Sequence, residues 1–347
     1  MTYRFVETSQ RHDTFTAVLC SLFLFAAGLL WSDPSAADDH ATSELPQLSA
    51  QIPSSVDWQD RQVTITFGPL DIEDHAQGHI PVPASVFFAP NDLMIVGYQA
   101  SVGTHDGTPL PKHYLHHVSV LDSTRPSTFC EGAPYLLGGS GVEMTGVRFP
   151  PGHGVPVAKG AKLLAVASFY DHVEPRRGVV IRLTLHLAPE GEPATTMRTH
   201  HISVTSDCYR RFVEAGPDET DEGLRLSPGV TTRSIDVSFP FDGCVKFAYA
   251  HAHDYLALML LDNLSSQSTL LRTAPQLDEE GKLLGFSAEQ VFSDARGFPI
   301  NRRDRYRLTM VYHRPLHDRR EQYGMATYLL YLTPSPCPAA SPFTSPG

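Results

Sequence analysis

The stretch Phe247-Ala-Tyr-Ala-His-Ala-His-Asp-Tyr255 is rich in aromatic and aliphatic residues and carries two histidines, His251 and His253, two positions apart. In a β-strand successive side chains point to opposite faces. Both imidazoles would then project from the same side, one pleat apart. Two imidazoles so placed can share one metal ion, and imidazole suits copper, zinc, iron and nickel alike. Two histidines on a half-solvated sheet face would give the same pattern.

Outward from this stretch the chain reads as β throughout. Runs rich in β-branched and aromatic residues fall at 63–67, 82–88, 93–102, 114–121, 162–170, 179–187 and 197–204, punctuated by Pro, Gly, Asp and Asn. After the acidic interval 214–222, which has no apolar period, they resume at 233–239, 244–253, 255–261, 305–312 and 325–332. The best short helical candidate is 287–293. This spacing predicts an all-β protein of two tandem antiparallel, jelly-roll-like β-sandwich domains. The expected division is a linker at 38–56, a first sandwich at 57–213, a linker at 214–231, a second sandwich at 232–333 and a Pro/Ser-rich disordered tail at 334–347.

The 347 residues, 41% hydrophobic and 19% charged, suffice for two cores. A formal net charge of −11 supplies no basic field for nucleic acid. Residues 1–37 read as a targeting segment: Arg4 and Arg11 precede the apolar run 15–31, and Ser35-Ala-Ala37 has the small residues of a signal-peptidase site. The competing reading is an uncleaved membrane anchor. Either way the chain is expected to be exported, secreted or periplasmic. Cys130, Cys208, Cys244 and Cys337 then remain, an even number that predicts two disulfides. A Cys244–Cys337 bridge would clip the terminal strands of the second sandwich, and Cys130–Cys208 would tie the first. No Cys-x-x-Cys is present for a thiolate zinc site.

A second histidine couple, His116-His117, lies in Tyr114-Leu-His-His-Val-Ser-Val-Leu-Asp122. Adjacent strand residues point to opposite faces, so a shared metal requires different ring nitrogens or a bulge that turns one of them. Next come the turn-rich Phe149-Pro-Pro-Gly-His-Gly-Val-Pro-Val157 and the strand Leu163-Leu-Ala-Val-Ala-Ser-Phe-Tyr-Asp171. Late in the chain stands Gly324-Met-Ala-Thr-Tyr-Leu-Leu-Tyr331.

The order of these pieces, with Leu226-Ser-Pro-Gly229 leading into Phe247, resembles the copper type II, ascorbate-dependent monooxygenases. These include the peptidylglycine α-hydroxylating and dopamine β-type enzymes, and the likeness spans most of 60–333. Plant stress-upregulated nodulin-type proteins share a similar Leu-His-His and late Gly-Met pattern. The resemblance implies up to two copper ions, one per domain, facing each other across a solvent-filled cleft. His251, His253 and Met325 would be catalytic, holding the copper that binds dioxygen and hydroxylates a C–H bond. His116 and His117 would hold the copper that stores electrons from ascorbate or another one-electron donor. A thioether beside imidazoles independently favours Cu(I).

The sequence departs from the family pattern twice. The position of the third first-domain histidine holds Phe169, or Ser168 if the strand slips by one, leaving His172 or His153 as substitutes. Tyr249 stands where peptide-amidating members carry an arginine, which weakens the case for a peptide rather than a small-molecule substrate. Two other functions are therefore carried: a non-catalytic copper-binding or interaction protein, and a metal-free sandwich that binds sugar through Tyr249, Tyr255 and Tyr328. There is no Gly-x-Ser-x-Gly, phosphate-binding glycine loop or dinucleotide fingerprint.

Overall fold

The computed structural model describes residues 53–72, 84–128, 133–144, 146–169, 175–192, 194–203, 224–317 and 323–338. The expected targeting segment, the acidic interval 214–222, most of the tail, His172, Cys130 and Cys208 lie outside them.

Alternation of buried and exposed positions builds the first sandwich. In β2 (Gln62–Ile72), Val63, Ile65 and Phe67 turn inward, while their neighbours are only partly buried. The larger sheet runs β1 (Ser54–Gln59), β2, β10 (Arg176–Leu187), β4 (Leu93–Thr104), β8 (His153–Val157) and β11 (Thr195–Thr196), with β7 (Gly146–Arg148) also paired to β4. Its facing sheet runs β3 (Ala84–Phe88), β9 (Lys162–Phe169), β5 (Leu115–Pro126) and β6 (Pro134–Gly141). Val118 and Val120 of β5 and Leu163, Ala165 and Ala167 of β9 meet Ile65, Tyr98 and Leu183 in one core. Burying each valine, leucine or isoleucine among them contributes about 1.5–3 kcal/mol.

The second sandwich pairs the sheet β12 (Arg198–Ser203), β23 (Ala326–Thr333), β15 (Gly243–Ala252), β20 (Phe292–Ile300) with the sheet β14 (Gly229–Val237), β21 (Tyr306–Arg314), β16 (Leu256–Asn263), β17 (Ser268–Thr273). Two small ribbons complete the set: β13 (Leu224–Arg225) with β22 (Tyr323–Gly324), and β18 (Gln276–Leu277) with β19 (Leu283–Gly285). Every named pairing is antiparallel except β8 with β11. The protein is thus an all-β sandwich protein, as its turn spacing predicts. The helical candidate at 287–293 is instead a single 3-10 turn, Ala288–Gln290, running into β20.

Two departures from the expected division matter for the site. β12, within the residues assigned to the first sandwich, hydrogen-bonds to β23 and so belongs to the second. The sandwiches also abut. Ala248, Ala250 and Ala252 of β15 face the second core, while Phe247 on the opposite face joins the first core together with Leu329 and Tyr331. A strand covered on both faces is apolar almost continuously, and β15 is buried at nearly every position. The Cys244–Cys337 disulfide forms as expected, fastening the chain after β23 back to β15.

Candidate metal centre

His251 shares the face of β15 that carries Phe247 and Tyr249, so it points at the first sandwich rather than into its own core. Opposite it lies the start of β5. There the pairing with β9 slips: Leu115 pairs with Phe169, but His117 pairs with Ser168. His116 is the extra residue of this bulge. A bulge bends the strand and re-aims a side chain, and the two adjacent imidazoles come together with ring centroids 4.7 Å apart.

The couples from the two sandwiches therefore meet. His116 lies 5.2 Å from His251 and 5.1 Å from His253, and His117 lies 5.7 Å from His251, centroid to centroid. His251 and His253 are 5.6 Å apart. Each of His116, His117 and His251 offers a ring nitrogen, all within 4.8 Å of one another. This corrects the picture of two remote centres across a solvent cleft: the four imidazoles form one cluster at the junction.

Met325 sits at the turn into β23. Its carbonyl accepts the backbone N–H of His253 at 3.1 Å and also the Tyr312 hydroxyl. Ala252 pairs with Ala326, so one step further in register puts His253 opposite Met325. Directly opposed residues of an antiparallel pair carry their side chains on the same face. His153 stands apart in β8, its Nδ1 against the Pro151 carbonyl at 3.0 Å.

Two further residues orient the rings. Ser168, noted above only as the place of a missing histidine if the strand slips by one, is hydrogen-bonded through Oγ to His117 Nδ1 at 3.1 Å. Glu143, in the turn after β6, is hydrogen-bonded through Oε1 to His251 Nδ1. A carboxylate only accepts, so that Nδ1 carries the hydrogen and Nε2 is left as the metal-facing atom. At His117 the Ser168 hydroxyl can donate to Nδ1 or accept from it, so that contact sets the ring's direction without choosing its tautomer. Partners of this kind fix tautomer and ring direction in metal centres.

Electrostatics divide the cluster. Burial, with the neighbouring imidazoles, holds His116 well below the usual histidine range. Burial and His251 hold His117 at about 4. Both are neutral at physiological pH, the form that ligates a metal. For His251 burial again opposes the charge, but Glu143 outweighs it and the pKa is raised. Burial favours the neutral acid of Glu143, and the adjacent His251 overrides that and lowers its pKa.

The aromatic residues nearby are structural. Tyr255 and Tyr328 are almost wholly buried, and the Tyr249 hydroxyl donates to the Gly139 carbonyl. Tyr249, Tyr255 and Tyr328 therefore do not make an exposed platform for a sugar.

No family model matches the chain, and no curated protein does. Among solved structures, the major capsid protein P2 from bacteriophage PM2 is 10% identical, with a TM-score of 0.32 over 78% of this chain and 97% of that one. A PNGF-II structure is 9% identical, with a TM-score of 0.31 over 81% of this chain and 66% of that one. The STIV MCP is 9% identical at a TM-score of 0.29, over 82% and 97%. Likeness this low carries no functional meaning.

Proposed function

We propose that the protein binds one copper ion through His116, His117 and His251, with His253 and Met325 beside it, and uses it in dioxygen-dependent hydroxylation of a C–H bond. The observation that carries this reading is the convergence of three ring nitrogens from two sandwiches within 4.8 Å. The donor set fits the ion: imidazoles suit copper, and a neighbouring thioether favours its reduced form over magnesium or calcium. Two of the three imidazoles are kept neutral, so little proton work precedes ligation. Copper in such a site supplies one-electron exchange with dioxygen. The chain's own part is to hold the rings at a partly buried junction and to orient them, His251 through Glu143 and His117 through Ser168.

Hydroxylation consumes two electrons from outside, and a single cluster must receive them one after the other from ascorbate or another one-electron donor. That requirement favours a second reading, a copper-binding protein without turnover, because the four imidazoles do not divide into separate storage and reaction centres.

Metal analysis of the purified protein after copper loading, followed by ascorbate-dependent oxygen uptake, separates the readings. One tightly held copper with uptake abolished in Met325→Ile supports the oxygenase. One copper with no uptake supports the binding protein. A dialysed protein that retains no copper, or retains it equally in His116→Ala, overturns both.

A further inference from the structure

At the other end of β5, nine residues and about 30 Å of strand from His116, a cleft of ≈ 260 Å³ opens between the sandwiches. Arg125 of β5 and Arg198 of β12 both line it. The Arg125 guanidinium is 3.9 Å from the centroid of the Tyr135 ring, and its Nη1 donates to the Pro156 carbonyl at 3.2 Å. Those contacts fix a planar fork, whose Nη1 also forms a 4.0 Å ion pair with the buried Asp122 carboxylate. Arg198 lies over the Phe241 ring at 5.6 Å.

Among the described residues no carboxylate pairs with Arg198. By contrast, Arg296, Arg302, Arg305 and Arg307 sit against aspartates on the open surface. The lining of this cleft brings together two cations from separate sandwiches, Arg125 balanced from behind by Asp122 and Arg198 paired with no carboxylate among the described residues. Its remaining walls are apolar or hydroxylated: Met197, Pro156, Pro334 and Thr196. Guanidinium groups offer forked donors matched to carboxylate and phosphate, and an aromatic contact uses the face of the group, not its N–H edge.

We infer that this cleft binds a small organic anion, a carboxylate or phosphate on a compact apolar body, held by Arg125 and Arg198. The volume sets the size: it is below the usual range for drug-sized ligands and suits a single ring or short chain. The inference is independent of the metal reading, since neither arginine approaches the histidines.

Benzoate and inorganic phosphate, titrated separately into the full chain by calorimetry at low salt, test it. Benzoate is expected to bind, with affinity falling at least tenfold in Arg198→Met and less in Arg198→Lys, which keeps charge but loses the fork. Phosphate binding with the same Arg198 dependence assigns the site to phosphate esters instead. An unchanged melting temperature in Arg198→Met shows that the loss is local, and a matching loss in Arg125→Met, with its fold verified by circular dichroism, confirms the pair. Absence of binding by either anion, or equal binding to wild type and Arg198→Met, overturns the inference.

Discussion

Glu143 and His251 are joined across 108 residues of sequence, carboxylate oxygen to Nδ1, with Glu143 supplied by the first sandwich and His251 by the second. The same Oε1 receives the Ala252 backbone N–H at 3.4 Å. The turn that carries Glu143 leaves no room for error, because a Cβ on Gly141 would run into its Oε2 and into the His116 carbonyl. The carboxylate is therefore fixed before any ion arrives.

Replacing Glu143 with Gln keeps the size but removes the charge and frees the tautomer of His251. Copper affinity, measured by competition with a chelator of known strength, is expected to fall 10–100-fold, the range seen for such supporting partners. Circular dichroism should be unchanged. Equal affinity in the variant would show that the carboxylate does not orient the ring.

The strands rich in β-branched and aromatic residues were legible: β2, β4, β5, β9, β10, β15, β21 and β23 all coincide with apolar runs read from the sequence. β6, Pro134-Tyr-Leu-Leu-Gly-Gly-Ser-Gly141, was not, because its glycines answer to close approach rather than to strand preference. The four histidines were legible as chemistry but not as one cluster. Their meeting depends on the bulge at His116 and on β15 being covered on both faces, and neither has a signature in the local pattern. Glu143 carried no signal at all, since an isolated acid in a turn-rich chain looks like surface, and Ser168 was marked only as the place of a missing histidine, not as a partner of His117.

Gly138 offers a separate test of the junction. Its φ is +149°, and a Cβ there would collide with the Tyr331 hydroxyl and lie 2.6 Å from Tyr98 Cζ and Oη. Both tyrosines are fully buried and Tyr98 donates to the Leu137 carbonyl at 2.6 Å, so neither can swing away. Gly138→Ala should destabilise by about 2–4 kcal/mol from strain and overpacking combined, read from the urea midpoint. A shift below ~0.5 kcal/mol would mean that the junction is loose.

Acid should weaken the fold through His200. Its ring packs 5.3 Å from each of Phe239 and Phe241, and Thr128 Oγ1 lies 3.0 Å from its Nδ1. Burial, with His201 nearby, depresses its pKa to about 3, whereas an unfolded histidine titrates near 6.5. Between these values the unfolded chain holds a proton that the folded one refuses, so stability is complete above ~6.5 and is lost as pH falls. The linkage amounts to on the order of 3–5 kcal/mol by pH 3. In His200→Phe the slope of unfolding free energy against pH, taken between pH 4 and 6, should flatten by close to one proton. An identical slope would place the titration elsewhere.

The Cys244–Cys337 bridge closes a separation of 93 residues that contains every strand from β16 to β23. Reduction or Cys337→Ser releases the chain beyond β23, which the bridge holds against β15, the strand that carries His251. Loop-closure entropy for a span of this size corresponds to about 4–5 kcal/mol, and natural bridges typically deliver 2–5. The unfolding free energy of Cys337→Ser in urea should be lower by that amount, with a somewhat steeper slope because the unfolded chain without the cross-link exposes more surface. Because Cys244 is seven residues from His251 along one strand, copper affinity at low temperature, where the variant stays folded, should fall far less than in Glu143→Gln. A variant that keeps full stability would show that the strand pairing of β15 with β23, and not the disulfide, closes this end of the sandwich.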